Sequence, residues 1–183
     1  KNSLAVVAGL LALQARGSDN KDVQNALADA RTRVEAVAQV HDQLWRQPDV
    51  TRFDLCDFLE SLCAKLQESA GPHRLVCRAQ ALSLPADLAI PLGLFVNELV
   101  TNAIKYAYGE GAGEIRIEAS APAEGGLTIA VSDDGIGLPE GFEPAKARAS
   151  LGMRVIVNLA RQLNGTLAVV PGKGARFELR MAP

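Results

Sequence analysis

The sequence predicts an α+β fold, in which an N-terminal antiparallel helical hairpin is followed by an α/β sandwich with a mixed sheet. Three observations predict it. Apolar residues recur near helical spacing through the first part of the chain, and residues 114–132 show two alternating patterns around a Gly-Gly turn. Later strand and helix patterns are mixed, with several adjacent antiparallel pairs, which favours a sandwich over a doubly wound fold. A composition of 48% hydrophobic and 22% charged residues is that of a folded protein.

The hairpin is predicted from two amphipathic stretches joined by a short polar loop. The first covers residues 4–13 and ends at Gly17, and Ser18 or Asp19 can cap the second, whose apolar positions recur from residue 23 to residue 44. Helices joined by about four residues run antiparallel. Because their apolar stripe is too wide for two helices to cover, we expect a homodimer that forms a four-helix bundle.

Pro48 interrupts the helical pattern within residues 47–53, so the predicted domains are residues 1–50 and residues 51–183. Asp54 can cap a helix that ends near Ser69. The remaining elements are predicted as short strands over 75–77 and 82–84, a long helix from Pro85 to about Tyr108 that Pro85 or Pro91 starts, strands over 114–120 and 127–132, a helix over 151–163 stopped by Asn164-Gly165, and strands over 166–170 and 175–181.

Charge and composition exclude several classes of function. With 19 Lys and Arg against 21 Asp and Glu, the chain lacks the basic footprint of nucleic-acid binding. The longest apolar run, Leu4–Leu13, is shorter than the roughly 20 residues of a membrane-spanning helix, so we expect no membrane contact by this segment. An odd number of cysteines without a CxxC pair predicts reduced thiols in a cytoplasmic protein.

The segment Asn97–Tyr106, NELVTNAIKY, is the first that suggests chemistry. On a helix, Glu98, Asn102 and Lys105 are spaced i, i+4 and i+7 and share one face. The amide oxygen of Asn102 suits Mg²⁺, and Lys105 could reach phosphate oxygens. A solvated helix stripe would have the same spacing, so both interpretations stay open here.

Two glycine-containing segments follow. In DDGIG, Asp133 ends a strand and could accept a hydrogen bond from an amino group, while Gly135 and Gly137 let the backbone approach a flat ligand. A simple hairpin turn is the alternative. In Ser150–Arg154, SLGMR, the free N–H groups at a helix start would attract phosphate, although Ser150 could also be an ordinary N-cap.

In their order and spacing, these segments resemble the N, G1 and G2 boxes of the GHKL, or Bergerat-fold, ATPases. The resemblance covers residues 85–183 and rests on NELVTNAIKYA, DDGIG, SLGMRVI and PGKGARF. The first half resembles the dimerisation and phosphoacceptor helices of bacterial sensor histidine kinases, through KNSLAVVAGLLALQAR, VEAVAQVHDQLW and FDLCDFLESL. The branch it resembles is the HWE-related one, and an ordinary DDGIG box without Trp places it nearer a sister branch than the strict HWE group.

This resemblance implies ATP and Mg²⁺ as cofactors and a Bergerat-type sandwich as the fold of residues 51–183. It implies that Asn102 ligates the Mg²⁺ bridging the ATP phosphates and that Asp133 holds the adenine amino group. Gly135 and Gly137 would shape the base pocket. Ala175 stands where relatives often carry Thr, so we expect a weaker nucleotide contact there.

For the phosphate end, the resemblance implies further roles. Glu98 matches the position proposed to act as a base, and Lys105 and Tyr106 match positions near the phosphates and the ribose. Gly152 would be the hinge of a lid formed by residues 138–149. Phosphoryl transfer mostly needs positioning and charge neutralisation, so this set of residues is chemically sufficient.

The function implied is that of a histidine kinase core, which phosphorylates a histidine with ATP and passes the phosphoryl group to a receiver-domain aspartate of a response regulator. The phosphoacceptor histidine of a His-Arg-Val-Lys-Asn motif would lie three residues before Lys1, outside this sequence. Of the histidines present, His41 is interpreted as a packed or hinge-proximal structural residue and His73 as a surface turn residue. The alternatives are a non-enzymatic phosphotransfer or scaffold module with a degenerate ATPase lobe, and a water-hydrolysing GHKL ATPase.

Overall fold

The computed structural model describes residues 2–44, 51–123, 125–144, 146 and 151–182. The chain divides into two compact units, Lys1–Val50 and Thr51–Pro183. Pro48, at the predicted boundary, and Ser150, the predicted N-cap, lie outside the described residues.

The first unit is a pair of helices, α1 (Asn2–Arg16) and α2 (Lys21–Leu44), which pack against each other. The predicted cap of α2 at Ser18 or Asp19 is wrong, because Oδ1 of Asn20 accepts the hydrogen bond from the Asp22 N–H at 2.8 Å. Ser18 instead orders the loop, where its Oγ accepts from the Asn20 N–H at 3.3 Å. The connection between the helices is therefore short and internally hydrogen-bonded.

The described part of the second unit contains three α-helices and two sheets. Its elements are β1 (Arg52–Asp54), α3 (Leu55–Ser69), β2 (Arg74–Ala79), β3 (Ser83–Pro85), a 3-10 turn (Ala86–Leu88), α4 (Ala89–Tyr106), β4 (Glu114–Ser120), β5 (Leu127–Asp133), α5 (Leu151–Gln162), β6 (Gly165–Val169) and β7 (Arg176–Met181). The larger sheet has the order β2-β4-β5-β7-β6, in which only β2 and β4 are parallel. The predicted α+β class with a mixed sheet is confirmed.

One face of this sheet forms the core with the three helices. The alternating pattern predicted for β4 and β5 places Ile115, Ile117 and Ile129 at zero exposure. The helices contribute fully or nearly fully buried side chains to the same core, namely Phe58, Leu59, Leu62, Leu92, Phe95, Val96, Leu99, Met153 and Ile156. The opposite face of the sheet carries an ion-paired set of charged residues, Glu118, Arg176, Glu178 and Arg180.

Of two predicted helix starts, one agrees with the structure and the other does not. Asp54 caps α3 as predicted, because its side chain accepts from the Asp57 N–H at 3.0 Å. The long helix is predicted from Pro85 to Tyr108, but α4 begins at Ala89 after a 3-10 turn and ends at Tyr106. Pro85 itself precedes the 3-10 turn, since it closes β3 by pairing with Arg52.

The strand β1 is absent from the sequence-based prediction. It pairs antiparallel with β3 in a separate two-stranded sheet, so the strand predicted near residues 82–84 does not join the main sheet. Further hydrogen bonds from Leu55 N–H to Leu82 C=O (2.8 Å) and from Ala86 N–H to Thr51 C=O (2.9 Å) extend this contact. A strand of three residues has no measurable alternation, which is why the pattern did not indicate it.

The surface position predicted for His73 is also wrong. Only 6% of this residue is exposed, because its imidazole stacks on the ring of Tyr108 with the centroids 5.1 Å apart. The adjacent Gly71-Pro72 turn is exposed, and His73 is drawn inward because the Gln67 side-chain amide donates to its carbonyl at 2.9 Å. His41 is half-buried near the end of α2.

In the described part of the chain, one helical stretch, Ala86–Tyr106, is long and apolar enough to cross a membrane by length and composition alone. It is mostly buried and packs against the sheet and α5, so it is the core helix of the second unit. The cysteines Cys56, Cys63 and Cys77 are free thiols, and burial raises the pKa of Cys77 to about 12.

Candidate functional site

A cavity of about 370 Å³ opens where the C-terminal half of α4 faces the end of β5. Its size is that of a small-ligand pocket. Most of its wall is apolar, formed by Leu99, Ala103, Ala107, Val131, Ile136, Leu138, Pro139, Phe142, Met153, Ala175 and Phe177. The polar side chains that line it are Asn102, Tyr106 and Asp133. Such a wall suits a flat, largely apolar ligand with a small number of hydrogen-bonding groups.

Asp133 is the buried polar group of this cavity, with 6% of the residue exposed. Its Oδ1 accepts hydrogen bonds from the N–H groups of Gly135 at 3.0 Å and of Ala175 at 3.2 Å. Both bonds use Oδ1, so within the described part of the chain Oδ2 remains as an acceptor for a group entering the cavity. The carboxylate is therefore held in one orientation by backbone donors.

The glycines after Asp133 are required by close backbone contacts. A Cβ on Gly135 would overlap the carbonyl oxygen of Ala107, the same oxygen that accepts from the Ile136 N–H at 2.9 Å. Gly137 has a φ of +78°, and a Cβ there would lie 3.2 Å from the Gly174 carbonyl oxygen. The DDGIG segment is thus wedged between the end of α4 and the 172–174 turn.

Asn102 and Glu98 lie on α4 and face the first turn of α5. A Cβ on Gly152 would be 3.3 Å from Oε2 of Glu98 and 3.4 Å from Oδ1 of Asn102. Glu98 is 6% exposed. Oxygen donors of a carboxylate and a carboxamide therefore meet the N-terminus of a helix, which combines ligands for a hard cation with N–H groups for an anion.

Among the described residues, no group of three or more His, Cys, Asp or Glu side chains could hold a metal ion. A divalent cation at Asn102 would therefore take most of its ligands from water and from a bound phosphate. Mg²⁺ is usually bound in this way, through one or two protein ligands plus substrate oxygens. The residues present fit such a shared Mg²⁺ site.

The predicted common face of Glu98, Asn102 and Lys105 is only partly reproduced at the cavity. Asn102 lines it, Glu98 is buried beside Gly152, and Lys105 is exposed and outside the lining. Tyr106 lines the cavity and is 66% exposed, so it stands at the mouth. Gly137 also lines the cavity, whereas Gly135 and Gly152 are not lining residues: Gly135 packs against Ala107, and Gly152 faces Glu98 and Asn102.

Two parts of the site were not predicted from the sequence. Phe142, in the loop after β5, meets Phe177 of β7 edge to face with ring centroids 6.2 Å apart, and both line the cavity. A lone aromatic residue in a Gly/Pro-rich loop is a signal that could have indicated Phe142. The second is Tyr108, whose hydroxyl bonds to Asp134 beside the cavity. Of the predicted lid, residues 145 and 147–149 lie outside the described part of the chain.

Comparison with known families matches both parts of the chain. Residues 88–183, just over half of its length, match the family described as histidine kinase-, DNA gyrase B-, and HSP90-like ATPase. Residues 1–70 match a second family, described as histidine kinase.

Comparison with curated proteins finds similar sensor kinases. The chain is 35% identical over 177 residues to sensor histidine kinase PdtaS of Mycobacterium tuberculosis, covering 92% of this chain and 34% of that protein. It is 25% identical over 179 residues to blue-light-activated histidine kinase 2 of Erythrobacter litoralis, covering 94% of this chain and 51% of that protein. The chain therefore spans between about a third and a half of the length of these relatives.

Solved structures share the fold. The histidine kinase domain from the Erythrobacter litoralis EL346 blue-light activated histidine kinase superposes with a TM-score of 0.72 at 23% identity, covering 99% of this chain and 86% of that one. The ATP binding domain of PrrB from Mycobacterium tuberculosis superposes with a TM-score of 0.58 at 24% identity, covering 73% of this chain and 97% of that one.

Proposed function

The chain belongs to the histidine kinase-, DNA gyrase B- and HSP90-like ATPases, with a histidine kinase module in its first 70 residues, and from this premise we propose that it is the catalytic core of a two-component sensor histidine kinase. It binds ATP with Mg²⁺, phosphorylates a histidine and passes the phosphoryl group to an aspartate on the receiver domain of a response regulator.

The observation that carries this proposal is the Asp133 carboxylate in an apolar cavity. Adenine is a flat ring system with an exocyclic amino group, and a buried acceptor within apolar walls complements it. Oδ1 of Asp133 is occupied by two backbone N–H groups, so Oδ2 accepts from the adenine amino group. Gly137 then brings the backbone to the edge of the base, and Tyr106, which lines the cavity at its mouth, contacts the ribose.

The phosphates lie toward α5. Asn102 Oδ1 would hold Mg²⁺, which would neutralise charge on the triphosphate, and the first turn of α5 at Gly152 offers N–H groups to the phosphate oxygens. Lys105, exposed on the last turns of α4, reaches the same region with its ammonium group. The described residues after β5 that line the cavity, Leu138, Pro139 and Phe142, cover the nucleotide.

Glu98 acts as the base in the transfer. A histidine nitrogen attacks the γ-phosphorus of ATP, the bond from that phosphorus to the β–γ bridging oxygen breaks, and ADP leaves. The carboxylate of Glu98 accepts the proton that the imidazole loses. The position of Glu98 supports this role, because the residue is buried next to Asn102 and Gly152.

Two copies of the chain associate through the α1–α2 hairpin. Small residues on α1 leave an open groove of about 450 Å³ beside α2, lined by Leu4, Ala5, Ala8, Gly9, Ala12, Arg31, Glu35 and Ala38. Side chains from a second hairpin fill such a groove in a four-helix bundle. The response regulator is the second protein partner.

Calorimetric titration with ATP and Mg²⁺ tests the nucleotide site. We expect Asn102→Ala and Asp133→Asn to lose binding. The first removes the metal ligand, and the second replaces a carboxylate, which only accepts hydrogen bonds, by an amide whose NH₂ group donates. Asn158→Ala and Asp87→Asn are matched controls at exposed positions and bind like the parent. If both site variants bind ATP like the parent, the assignment fails.

The reaction itself is tested on a chain extended at its N-terminus through a His-Arg-Val-Lys-Asn motif. With [γ-³²P]ATP, a kinase accumulates acid-labile label on the protein. A water-hydrolysing ATPase releases inorganic phosphate without labelling the protein, and a scaffold does neither. Only the first outcome agrees with the proposal.

A further inference from the structure

Tyr108 lies just beyond α4, outside the cavity lining, yet it contacts the DDGIG segment directly. Its Oη lies 2.6 Å from the Glu114 carbonyl oxygen and 2.8 Å from Oδ1 of Asp134, and these two acceptors share its one hydrogen. The same Oη accepts a hydrogen bond from the Asp134 N–H at 3.2 Å. A single hydroxyl thus joins the end of α4, the start of β4 and the residue that follows Asp133.

The Tyr108 ring has little freedom to move. His73 stacks on it at 5.1 Å with an interplanar angle of 28°. Next to it lies Gly113, where an added Cβ would overlap the ring carbons. Burial raises the pKa of Tyr108 to about 12, and the hydrogen bond from Tyr108 lowers the pKa of Asp134. The phenol therefore keeps its proton and Asp134 stays ionised over the ordinary pH range.

Four consecutive N–H groups around the base pocket each have an acceptor. Those of Asp133 and Ile136 donate to the carbonyl oxygens of Ala175 and Ala107, both at 2.9 Å. The N–H of Gly135 donates to the carboxylate of Asp133, and that of Asp134 donates to Tyr108. Of these four acceptors, Oη of Tyr108 is the side-chain group that lies outside the pocket. It can be deleted without changing the cavity wall.

We infer that Tyr108 is a positioning residue for recognition of the base, whose hydroxyl holds the turn after β5 so that the Asp133 carboxylate faces the amino group of adenine. This rests on the proposed function, because it takes ATP as the ligand. Without the hydroxyl, the Asp134 N–H bonds to water and the turn gains freedom. The Gly135 N–H, one of the two backbone donors that orient the carboxylate, is then held less firmly, while the Ala175 N–H stays in place. The Tyr108 hydroxyl therefore affects the preference for adenine over other bases more strongly than it affects the stability of the fold.

The test compares ATP with inosine triphosphate, whose base has a carbonyl oxygen where adenine has its amino group. The parent chain prefers ATP because the Asp133 carboxylate attracts the amino group and repels the carbonyl oxygen. In Tyr108→Phe, which keeps the ring on His73, we expect the ratio of the two dissociation constants to fall by about two- to tenfold, the effect of losing one hydrogen bond. We also expect faster hydrogen exchange at the amides of residues 133–136.

Gln67→Ala is the matched control, since it removes two hydrogen bonds at the turn before β2, from the Gln67 amide to the His73 carbonyl and from the Leu75 N–H to Gln67. It should lower the Tm and leave the ATP preference unchanged. If Tyr108→Phe keeps the parent ratio, or if Gln67→Ala lowers that ratio equally, the positioning role is disproved. If the parent itself fails to bind ATP, it is the proposed function that fails, so the two failures are distinguishable.

Discussion

Asp133 and Ala175 are joined by two reciprocal hydrogen bonds. The Asp133 N–H donates to the Ala175 carbonyl oxygen at 2.9 Å, and the Ala175 N–H donates to Oδ1 of Asp133 at 3.2 Å. The carboxylate is therefore oriented by the backbone at residue 175, whatever side chain stands there. This explains how alanine can occupy a position where a threonine hydroxyl is common in the kinases that the sequence resembles.

The turn before Ala175 depends on a glycine. Gly174 has a φ of +73°, and a Cβ there would overlap the carbonyl oxygen of Asp133, so Gly174→Ala must shift the end of β5. We expect it to lower the free energy of unfolding by about 2 kcal/mol or more, measured by urea denaturation, and to weaken ATP binding. Gly172→Ala is the control, because its Cβ would meet nothing within 4 Å. Equal stability of the two variants would contradict the close approach of Gly174 to the Asp133 carbonyl oxygen.

Gly152→Ala should separate stability from binding. Alanine favours the first turn of α5 by up to about 1 kcal/mol over glycine, so unfolding should be unchanged or slightly harder. Its Cβ, however, would lie 3.3 Å from Glu98 Oε2 and 3.4 Å from Asn102 Oδ1, in the space proposed for Mg²⁺ and phosphate. We expect weaker binding of ATP with Mg²⁺ by calorimetry, whereas Asn158→Ala on the outer face of α5 binds normally. Normal binding by Gly152→Ala would place the phosphates elsewhere.

The elements that sequence analysis predicted well are those with a local physical signal. The Asp54 cap, the alternation of β4, and the stop of α5 at Asn164, whose φ is +51°, each depend on a few adjacent residues. The structure brings Asn102, Asp133 and Gly137 to one cavity, as the motif order indicates. Their binding roles remain predictions.

The elements that were missed depend on contacts distant in sequence. The strand β1 exists because β3 pairs with it. The Asn20 cap of α2 is the exception, because its hydrogen bonds are local and the two residues before it are equally good N-cap types. The contact of Tyr108 with Asp134 joins residues 26 positions apart, and the sequence around either residue does not predict it. Burial of His73 likewise depends on the Tyr108 ring. Local patterns carry no information on such pairings.

The outer face of the main sheet is expected to depend on one arginine. Arg176 donates to Glu118 at 2.6 Å and to Glu178 at 3.0 Å, reaching across β5 to β4. Because its side chain is about a third exposed, we expect Arg176→Met to cost only about 1 kcal/mol of unfolding free energy. Arg180→Met, at a side chain 61% exposed, should cost less than about 0.5 kcal/mol. Equal effects of the two substitutions would mean that the ion pair between β7 and β4 contributes nothing to the free energy of unfolding.

Acid should weaken this same network through Glu178. Burial acts to raise the pKa of Glu178, but the hydrogen bonds from Arg180 and Arg176 outweigh it and the pKa is lowered. A carboxyl whose pKa is lower in the folded state stabilises that state above its unfolded pKa of about 4.3 and loses this contribution as the pH falls. Stability measured by urea denaturation between neutral pH and about pH 3 should fall most steeply below about pH 4.3. Glu178→Gln should flatten that fall, and Glu110→Gln, at an exposed loop position, should follow the parent curve.

The hairpin carries an apolar stripe that its own two helices leave open. On α1, Val6, Leu10 and Leu13 are 55%, 54% and 67% exposed, and their i, i+4, i+7 spacing puts them on one face. Burying each of these side chains against a second hairpin would contribute about 1.5–3 kcal/mol, so the stripe can drive association. We expect the parent chain to be a dimer by light scattering and Leu10→Asp to be a monomer, because a charge in the centre of a bundle has no partner. Asn25→Asp, on the polar face of α2, should remain a dimer. A parent chain that is monomeric at high concentration, or a Leu10→Asp variant that still dimerises, would rule out association through this stripe.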